Sequence, residues 1–366
     1  MGSSARAKPP SPGRGRTAPD AGWTVRVGDS LELLATLPAA SVDAVVTDPP
    51  YGIGFEGHDW DRPALAGPCH LVALGNGSGR GRHKPPRGSD RVQLVRARRY
   101  QLWSRAWAAE SLRVLKPGGH LVSFGAPRTA HRLACGIEDA GFELRDTLMW
   151  LFGKGFPKAH RLDGAWGGWA ASLKPAHEPI LLARRPLQGT TQQNAERHGT
   201  GALNIEACRG DAGRWPPNVV LSHASTCTPR RCDPDCPVET LGPSARFFYA
   251  PKISRRERDA GCEGLAARRT ATFKIGSASW RRAEVNLTRN FHPTVKPIAL
   301  MRWLVRLVCA PGGLVLDPFC GSGTTGCAAA LERRRFLGIE REPDYAEIAR
   351  ARIAHWSRVA QAEGGG

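Results

Sequence analysis

Asp48-Pro49-Pro50-Tyr51 follows the run Val42-Asp43-Ala44-Val45-Val46-Thr47. That run reads as a buried strand, and the C-terminal end of such a strand is where open α/β sheets place ligands. The Asp48 carboxylate and the Pro49 carbonyl are two neighbouring acceptors. Together they suit both N–H bonds of an amino group on a planar ring. Such a nitrogen is a poor nucleophile because its lone pair is delocalised into the ring, and two acceptors favour a tetrahedral geometry. Pro49 and Pro50 stiffen the backbone. Tyr51 offers a face on which an extruded base can stack. Asp-Pro-Pro alone is a common turn; its place after a buried strand makes it a candidate site.

A second stretch, Asp317-Pro318-Phe319-Cys320-Gly321-Ser322-Gly323-Thr324-Thr325-Gly326, follows Leu314-Val315-Leu316. It reads as a strand opening onto a glycine turn and then a helix, where the backbone can approach a nucleotide closely. Glu340 ends the next strand and is placed for ribose hydroxyls. Alone, this stretch suits an adenosyl group or a nicotinamide dinucleotide. A dinucleotide oxidoreductase would leave Asp48 to Tyr51 idle, so the pair of motifs favours a methyl donor opposite a flipped base.

The elements that must position these residues follow from apolar patterning. Strands are predicted at 23–29, 42–46, 120–124, 144–152 and 178–183, a short helix around Leu31 to Leu37, and helices at 100–114 and 128–140. Downstream the pattern predicts helix 298–309, strand 313–316, helix 325–333, strand 336–340 and helix 344–356. Residues 1–20 are rich in Pro, Gly, Ser and Arg and read as a disordered basic tail, with 359–366 as a flexible tail. The Gly- and Pro-rich span 52–98 reads as a mobile loop. Residues 186–284 hold Gly, Pro, Arg and Cys with few periodic apolar runs, and are expected to form a separate loop-rich module. The segments 21–185 and 285–358 then form two halves of one sheet domain.

The chain has 366 residues, 41% of them hydrophobic, a formal charge of +19 and a pI of about 10.2. That balance points to a polyanionic partner. No run is long enough to span a bilayer, and the start of the chain lacks an apolar signal segment, so a cytoplasmic protein without membrane contact is expected. Its ten cysteines should then be mostly reduced. His223, Cys227, Cys232 and Cys236 offer one nitrogen and three sulfurs at short spacing, a candidate structural Zn²⁺ site weighed against unrelated thiols on a loop. Cys208 and Cys262 stand apart, while Cys309, Cys320 and Cys327 suit small core positions. Arginine clusters at 80–84, 96–99, 255–258 and 281–282 are candidate phosphate contacts.

With these motifs in this order, the chain resembles the S-adenosylmethionine-dependent DNA amino-methyltransferases of β-type motif order. Further matches are Gly28-Asp29, Val114-Leu115-Lys116-Pro117-Gly118-Gly119, Gly141-Phe142-Glu143 and Phe291-His292-Pro293-Thr294-Val295-Lys296-Pro297. Gly155-Phe156-Pro157-Lys158 and Lys174-Pro175-Ala176-His177-Glu178-Pro179 resemble phage-like members. The resemblance covers roughly residues 23–185 and 285–353. It implies an α/β fold, a circularly permuted Rossmann-like methyltransferase sheet, with 186–284 as target-recognition module. It implies S-adenosylmethionine as cofactor, held by Asp317, Phe319, Gly321, Gly323 and Glu340. Asp29 would approach the adenine ring, or else cap a helix. His292, Pro293, Thr294 and Lys296 would lie along the methionine end. Double-stranded DNA is the implied partner, with a cognate restriction nuclease as a further one; the oligomeric state stays open. Asp in the first motif position leans toward adenine N6, with cytosine N4 as the alternative. Other readings are a DNA-binding protein with a vestigial methylase fold, and C5 methylation through Cys69, which would leave Asp48 unexplained.

Overall fold

Val42–Thr47 are buried without exception, and a strand with no solvent face must lie inside a sheet covered on both sides. The computed structural model describes residues 22–53, 61, 90–152, 162–170, 172–173, 175–209, 213–223, 227, 231–234, 236–242, 255–272 and 284–363. Along the chain these form β1 (Trp23–Val27), α1 (Ser30–Ala35), β2 (Val42–Thr47), α2 (Asp90–Val114), β3 (Leu115–Phe124), α3 (Ala130–Asp139), β4 (Glu143–Phe152) and β5 (His177–Arg184). There follow α4 (Thr191–His198), β6 (Val219–Ser222), α5 (Pro237–Leu241), α6 (Arg255–Asp259), β7 (Arg268–Thr272) and β8 (Glu284–Thr288). The last elements are α7 (Ile298–Val308), β9 (Leu314–Asp317), α8 (Thr324–Leu331), β10 (Arg335–Glu340) and α9 (Pro343–Ala362).

Eight strands form one sheet in the order β1-β10-β9-β2-β3-β5-β4-β6. β5 alone runs against the others, pairing antiparallel with β3 and β4; every other pairing is parallel. β7 and β8 pair separately as a hairpin. Alternation along the strands sends side chains to two cores. Ala44, Val46, Val122 and Phe124 join Met301, Leu304, Ala328 and Ile353 on the face covered by α7, α8 and α9. Val42, Val45 and Leu121 join Leu34, Trp107, Leu133 and Ile137 under α1, α2 and α3. β2 and β9 are neighbours, and the chain leaves them toward opposite sides of the sheet. That is a topological switch point, which opens a crevice at the strands' carboxyl ends.

Three expectations change. Helix α2 starts at Asp90, so the last part of the expected 52–98 loop is helical, with Arg96 and Arg98 exposed on it. Helix α9 continues to Ala362, taking in the first half of the expected C-terminal tail. Two elements expected in a separate module belong to the main sheet domain: β6 pairs with β4, and α4 is locked onto β3. The lock is Asn194, fully buried. Its amide donates to the Pro117 and Thr200 carbonyls at 2.9 Å each and accepts from the Gln188 amide at 2.9 Å. Polar composition hid this integration, because the lock is made of hydrogen bonds and not of an apolar stripe. The basic tail 1–20, Cys69, the 80–84 and 281–282 arginine clusters, Gly155 to Lys158 and Lys174 lie outside the described residues.

Asn194→Ala leaves buried backbone groups without partners, and should cost about 2 kcal/mol of stability. Urea denaturation followed by tryptophan fluorescence checks this. One cooperative transition at lower urea is expected; an unchanged main transition would mean that α4 stands apart from the sheet.

Candidate active site

β2, β9, β10 and β1 end side by side, and the residues just past their ends face one cavity of about 430 Å³. Its lining includes Asp29, Asp48, Pro50, His292, Thr294, Lys296, Asp317, Phe319, Gly321 and Glu340. The volume lies in the range of small-molecule sites. Most residues of the two motifs thus meet, together with Trp103 and Trp107 of α2, which sequence reading took only as parts of a helix.

The glycine turn is shaped by contacts on both sides. Gly321 adopts φ +52°, and a Cβ there would stand 2.8 Å from His292 Nε2. Its amide donates to Glu340 Oε2 at 2.7 Å, while the Glu342 amide donates to Oε1 at 2.8 Å. Glu340 is therefore fixed at the mouth of the turn, with lone pairs left for hydroxyl donors. Gly323 has a different task. Its φ is +76°, and a Cβ would stand 2.8 Å from Ala349 Cα, so its glycine lets α8 pack closely on α9. Behind the turn, Arg352 is fully buried. It donates to the Ser322 carbonyl at 2.7 Å and to the Ser322 and Thr324 hydroxyls at 3.0 Å each.

Asp317 reaches the cavity, but its carboxylate is mostly committed to the fold. It accepts from Thr47 Oγ1 at 2.7 Å, Thr325 Oγ1 at 2.6 Å and the Phe319 amide at 3.1 Å. It thus ties β2, β9 and α8 together, and burial raises its pKa to about 6. Phe319 packs against Trp103 and Trp107, with ring centroids 5.4 and 5.5 Å away. Asp29 caps α1 through the Leu31 amide at 2.9 Å and also lines the cavity. The turn 290–294 is braced by Arg258, which donates to the Asn290 and His292 carbonyls at 3.1 Å; this arginine, expected among the phosphate contacts, holds the site's own backbone.

The Asp48 motif is clamped from three elements. Asp61 accepts from the Tyr51 and Gly52 amides at 2.6 and 3.0 Å. Tyr100 donates to the Pro50 carbonyl at 3.1 Å and Thr129 to the Tyr51 carbonyl at 2.9 Å. The buried Pro49 carbonyl takes no hydrogen bond from the described residues. Lys296, predicted to lie along a cofactor, lines the cavity and joins the motif: its ammonium stands 2.7 Å from Asp48 Oδ2 and 3.1 Å from Glu178 Oε2. Tyr51 turns its hydroxyl to Asp48 Oδ1 at 2.8 Å and Glu178 Oε2 at 3.0 Å. Its phenol therefore serves as a polar partner to the carboxylates, a role the stacking expectation omitted. The rings of Phe124, Tyr51 and Trp150 surround the ammonium at 4.9, 5.6 and 6.0 Å, within cation–π reach.

Burial raises the Asp48 pKa; Lys296 opposes that rise and Glu178 adds to it. For Lys296, burial favours the neutral amine, but the Asp48 and Glu178 carboxylates outweigh it and raise its pKa, keeping the ammonium charged. Burial, then Asp48 and Glu178, holds the Tyr51 phenol well above its ordinary pKa, so it stays a donor. Glu178 was missed as a site residue. It opens β5, and the antiparallel run of that strand alone brings its first residues to the edge where the parallel strands end. His223, Cys227, Cys232 and Cys236 also converge, beyond the end of β6 and outside the cavity lining.

The two glycines should separate on substitution. Gly323→Ala adds a left-handed strain and a clash with the Ala349 backbone, together about 3 kcal/mol. Gly321→Ala meets only the movable His292 ring and should cost about 1 kcal/mol. Urea unfolding of both variants checks this ordering; equal losses would contradict the packing role of Gly323.

A family described as DNA methylase, of N6 and N4 type, matches residues 42–351. The chain is 28% identical over 352 residues to the Type II methyltransferase M.HindIII of Haemophilus influenzae, covering 89% of this chain and 93% of that protein. A 62-residue stretch is 47% identical to the Type II methyltransferase M2.DpnII of Streptococcus pneumoniae, 17% of this chain and 23% of that protein. Among solved structures, the cytosine-N4-specific PvuII DNA methyltransferase aligns with a TM-score of 0.53 at 18% identity, covering 93% of each chain; that likeness concerns the fold. Fold, site and family match agree: the chain belongs to the DNA methylase family of N6 and N4 methyltransferases.

Proposed function

We propose that the chain transfers the methyl group of S-adenosylmethionine to the exocyclic amine of a base flipped from double-stranded DNA, with adenine N6 as the target. The observation that carries this is one cavity with the glycine turn and Glu340 on one side and the Asp48 carboxylate on the other. The order of the two motifs along the chain is read as a circular permutation. The charge of +19 suits a phosphate backbone. Likeness to two Type II methyltransferases supports a role in restriction–modification beside a cognate nuclease. Site recognition is assigned to the 186–284 span, chiefly to its part beyond β6.

The cavity fits the cofactor by its own chemistry. Glu340 has acceptors for ribose hydroxyls, Phe319 with Trp103 and Trp107 forms an apolar wall for an adenine ring, and Asp29 stands at that end. Gly321, His292 and Thr294 shape the remainder. The bound cofactor supplies an electrophilic methyl on a sulfonium. Asp48 and the Pro49 carbonyl hold the amine's N–H bonds and localise its lone pair. The nitrogen, attacking with that lone pair, would take the methyl from the sulfonium, whose sulfur would keep the bonding pair, and would shed one proton. Asp48, with its pKa raised by burial, is placed to accept that proton. Both of its oxygens keep lone pairs beside Tyr51 and Lys296 for the substrate. Lys296 holds the carboxylate charged and aimed until then, and Glu178 keeps the ammonium in place.

Labelled cofactor incubated with duplex DNA of diverse sequence should yield N6-methyladenine on digestion. Recovery of N4-methylcytosine would reassign the base, and label on neither would remove the reaction. Asp48→Ala should lower kcat by about 10²-fold or more, with cofactor affinity near wild type.

The pH dependence gives opposite signs for two neighbours. Turnover needs Asp48 ionised, so it falls as pH drops through the raised Asp48 pKa. Lys296→Met removes the charge that lowers this pKa, so the acid limb moves to higher pH. Glu178→Gln removes a charge that raises it, so the limb moves to lower pH. Profiles of kcat against pH check both; shifts of the same sign would show that Asp48 is not the titrating group.

A further inference from the structure

We infer that His223, Cys227, Cys232 and Cys236 bind a structural Zn²⁺ that fastens the segment after β6 to the edge of the sheet. The one nitrogen and three sulfur ligand atoms all lie within 4.8 Å of one another. His223 Nδ1 stands 3.4 Å from Cys232 Sγ and 3.6 Å from Cys236 Sγ. In a tetrahedral site with Zn–N of about 2.05 Å and Zn–S of about 2.3 Å, the nitrogen–sulfur edge is about 3.6 Å and the sulfur–sulfur edge about 3.8 Å. The two nitrogen–sulfur edges match such a tetrahedron, and with every separation within 4.8 Å no edge needs to close by more than about 1 Å. Cys227 Sγ already accepts from the Asp233 amide at 3.3 Å, the kind of outer hydrogen bond that steadies a metal-bound thiolate.

A disulfide accounts for the cluster less well. It would join two sulfurs and leave the third thiol and the imidazole gathered for no purpose. Apolar packing does not account for it either: Cys236 is buried, but Cys227 and Cys232 are half exposed. Four protein ligands leave no open position for water, so the metal's role is structural, contributing order where the segment has few apolar side chains.

Its place gives it a consequence. His223 directly follows β6, whose Ser222 hydroxyl accepts from Trp150 Nε1 at 2.7 Å. Trp150 is one of the rings around the Lys296 ammonium. A metal fixing His223 therefore steadies one of the rings around the Lys296 ammonium, which pairs with Asp48. The site rests on four side chains and holds whichever base is methylated.

Full-length protein without a polyhistidine tag, purified without chelator, should contain about one zinc per chain by elemental analysis. Replacement by Co²⁺ should give the intense visible bands of a tetrahedral thiolate site. Cys232→Ser/Cys236→Ser should lose the metal, His223→Cys should retain it as a four-cysteine site, and Cys135→Ser should leave it unchanged. The stoichiometry and the cobalt spectrum are read on the wild-type chain, so a variant that fails to fold does not decide the matter. Zinc-free protein in which Cys227, Cys232 and Cys236 react as free thiols, or in which two of them form a disulfide by mass, would overturn the site.

Discussion

A buried ammonium must be paired, and that of Lys296 sits where the fold needs a fastening. It is only 7% exposed, and its partners come from β2's end and β5's start, with the β3 and β4 rings around it. An isolated ion here would be driven to neutrality. Breaking a buried pair by removing one member typically costs about 3–5 kcal/mol, so the four strands and the turn before α7 are held to one geometry by a single charge. The Asp48 motif is thereby kept beside the glycine turn.

The same economy of buried polar groups supports the glycine-turn side of the cavity. Asp317 links β2, β9 and α8, Glu340 holds the Gly321 amide, and Arg352 holds Ser322 from behind. These side chains do not all touch a ligand. They fix a backbone whose amides and carbonyls face the cavity, so that little reorganisation remains when substrate binds. The sheet places all of this at one edge, because seven strands share a direction and the one reversed strand enters there.

Most of the sheet could be read from the chain. β2, β9 and β10 are apolar runs ending in Asp48, Asp317 and Glu340, and such strands leave a clear mark in sequence. What escaped was made by polar residues or by topology. Glu178 has no periodic signal and reaches the site only because β5 is antiparallel. Asp61 lies in a Gly- and Pro-rich stretch, yet it clamps the Tyr51 amide. Trp103 and Trp107 look like ordinary core positions of a helix. Asn194 falls in a stretch that reads as a loop-rich module because hydrogen bonds, unlike apolar stripes, leave no pattern, and β6 offers only the brief apolar run Val219-Val220-Leu221 amid polar residues. The motif around Lys296 marks it as a residue of the cavity, but its pairing with the Asp48 and Glu178 carboxylates has no signal in the sequence.

The most direct test of the coupling between Lys296 and Asp48 is a double-mutant cycle. Methyl transfer to DNA would be measured as kcat for Asp48→Asn, Lys296→Met and the double variant, at a pH well above the acid limb. Because Lys296 acts through the Asp48 carboxylate, the double variant should be little slower than Asp48→Asn alone. Losses that multiply, each variant contributing its full effect in the double, would contradict the account and give Lys296 a role independent of Asp48.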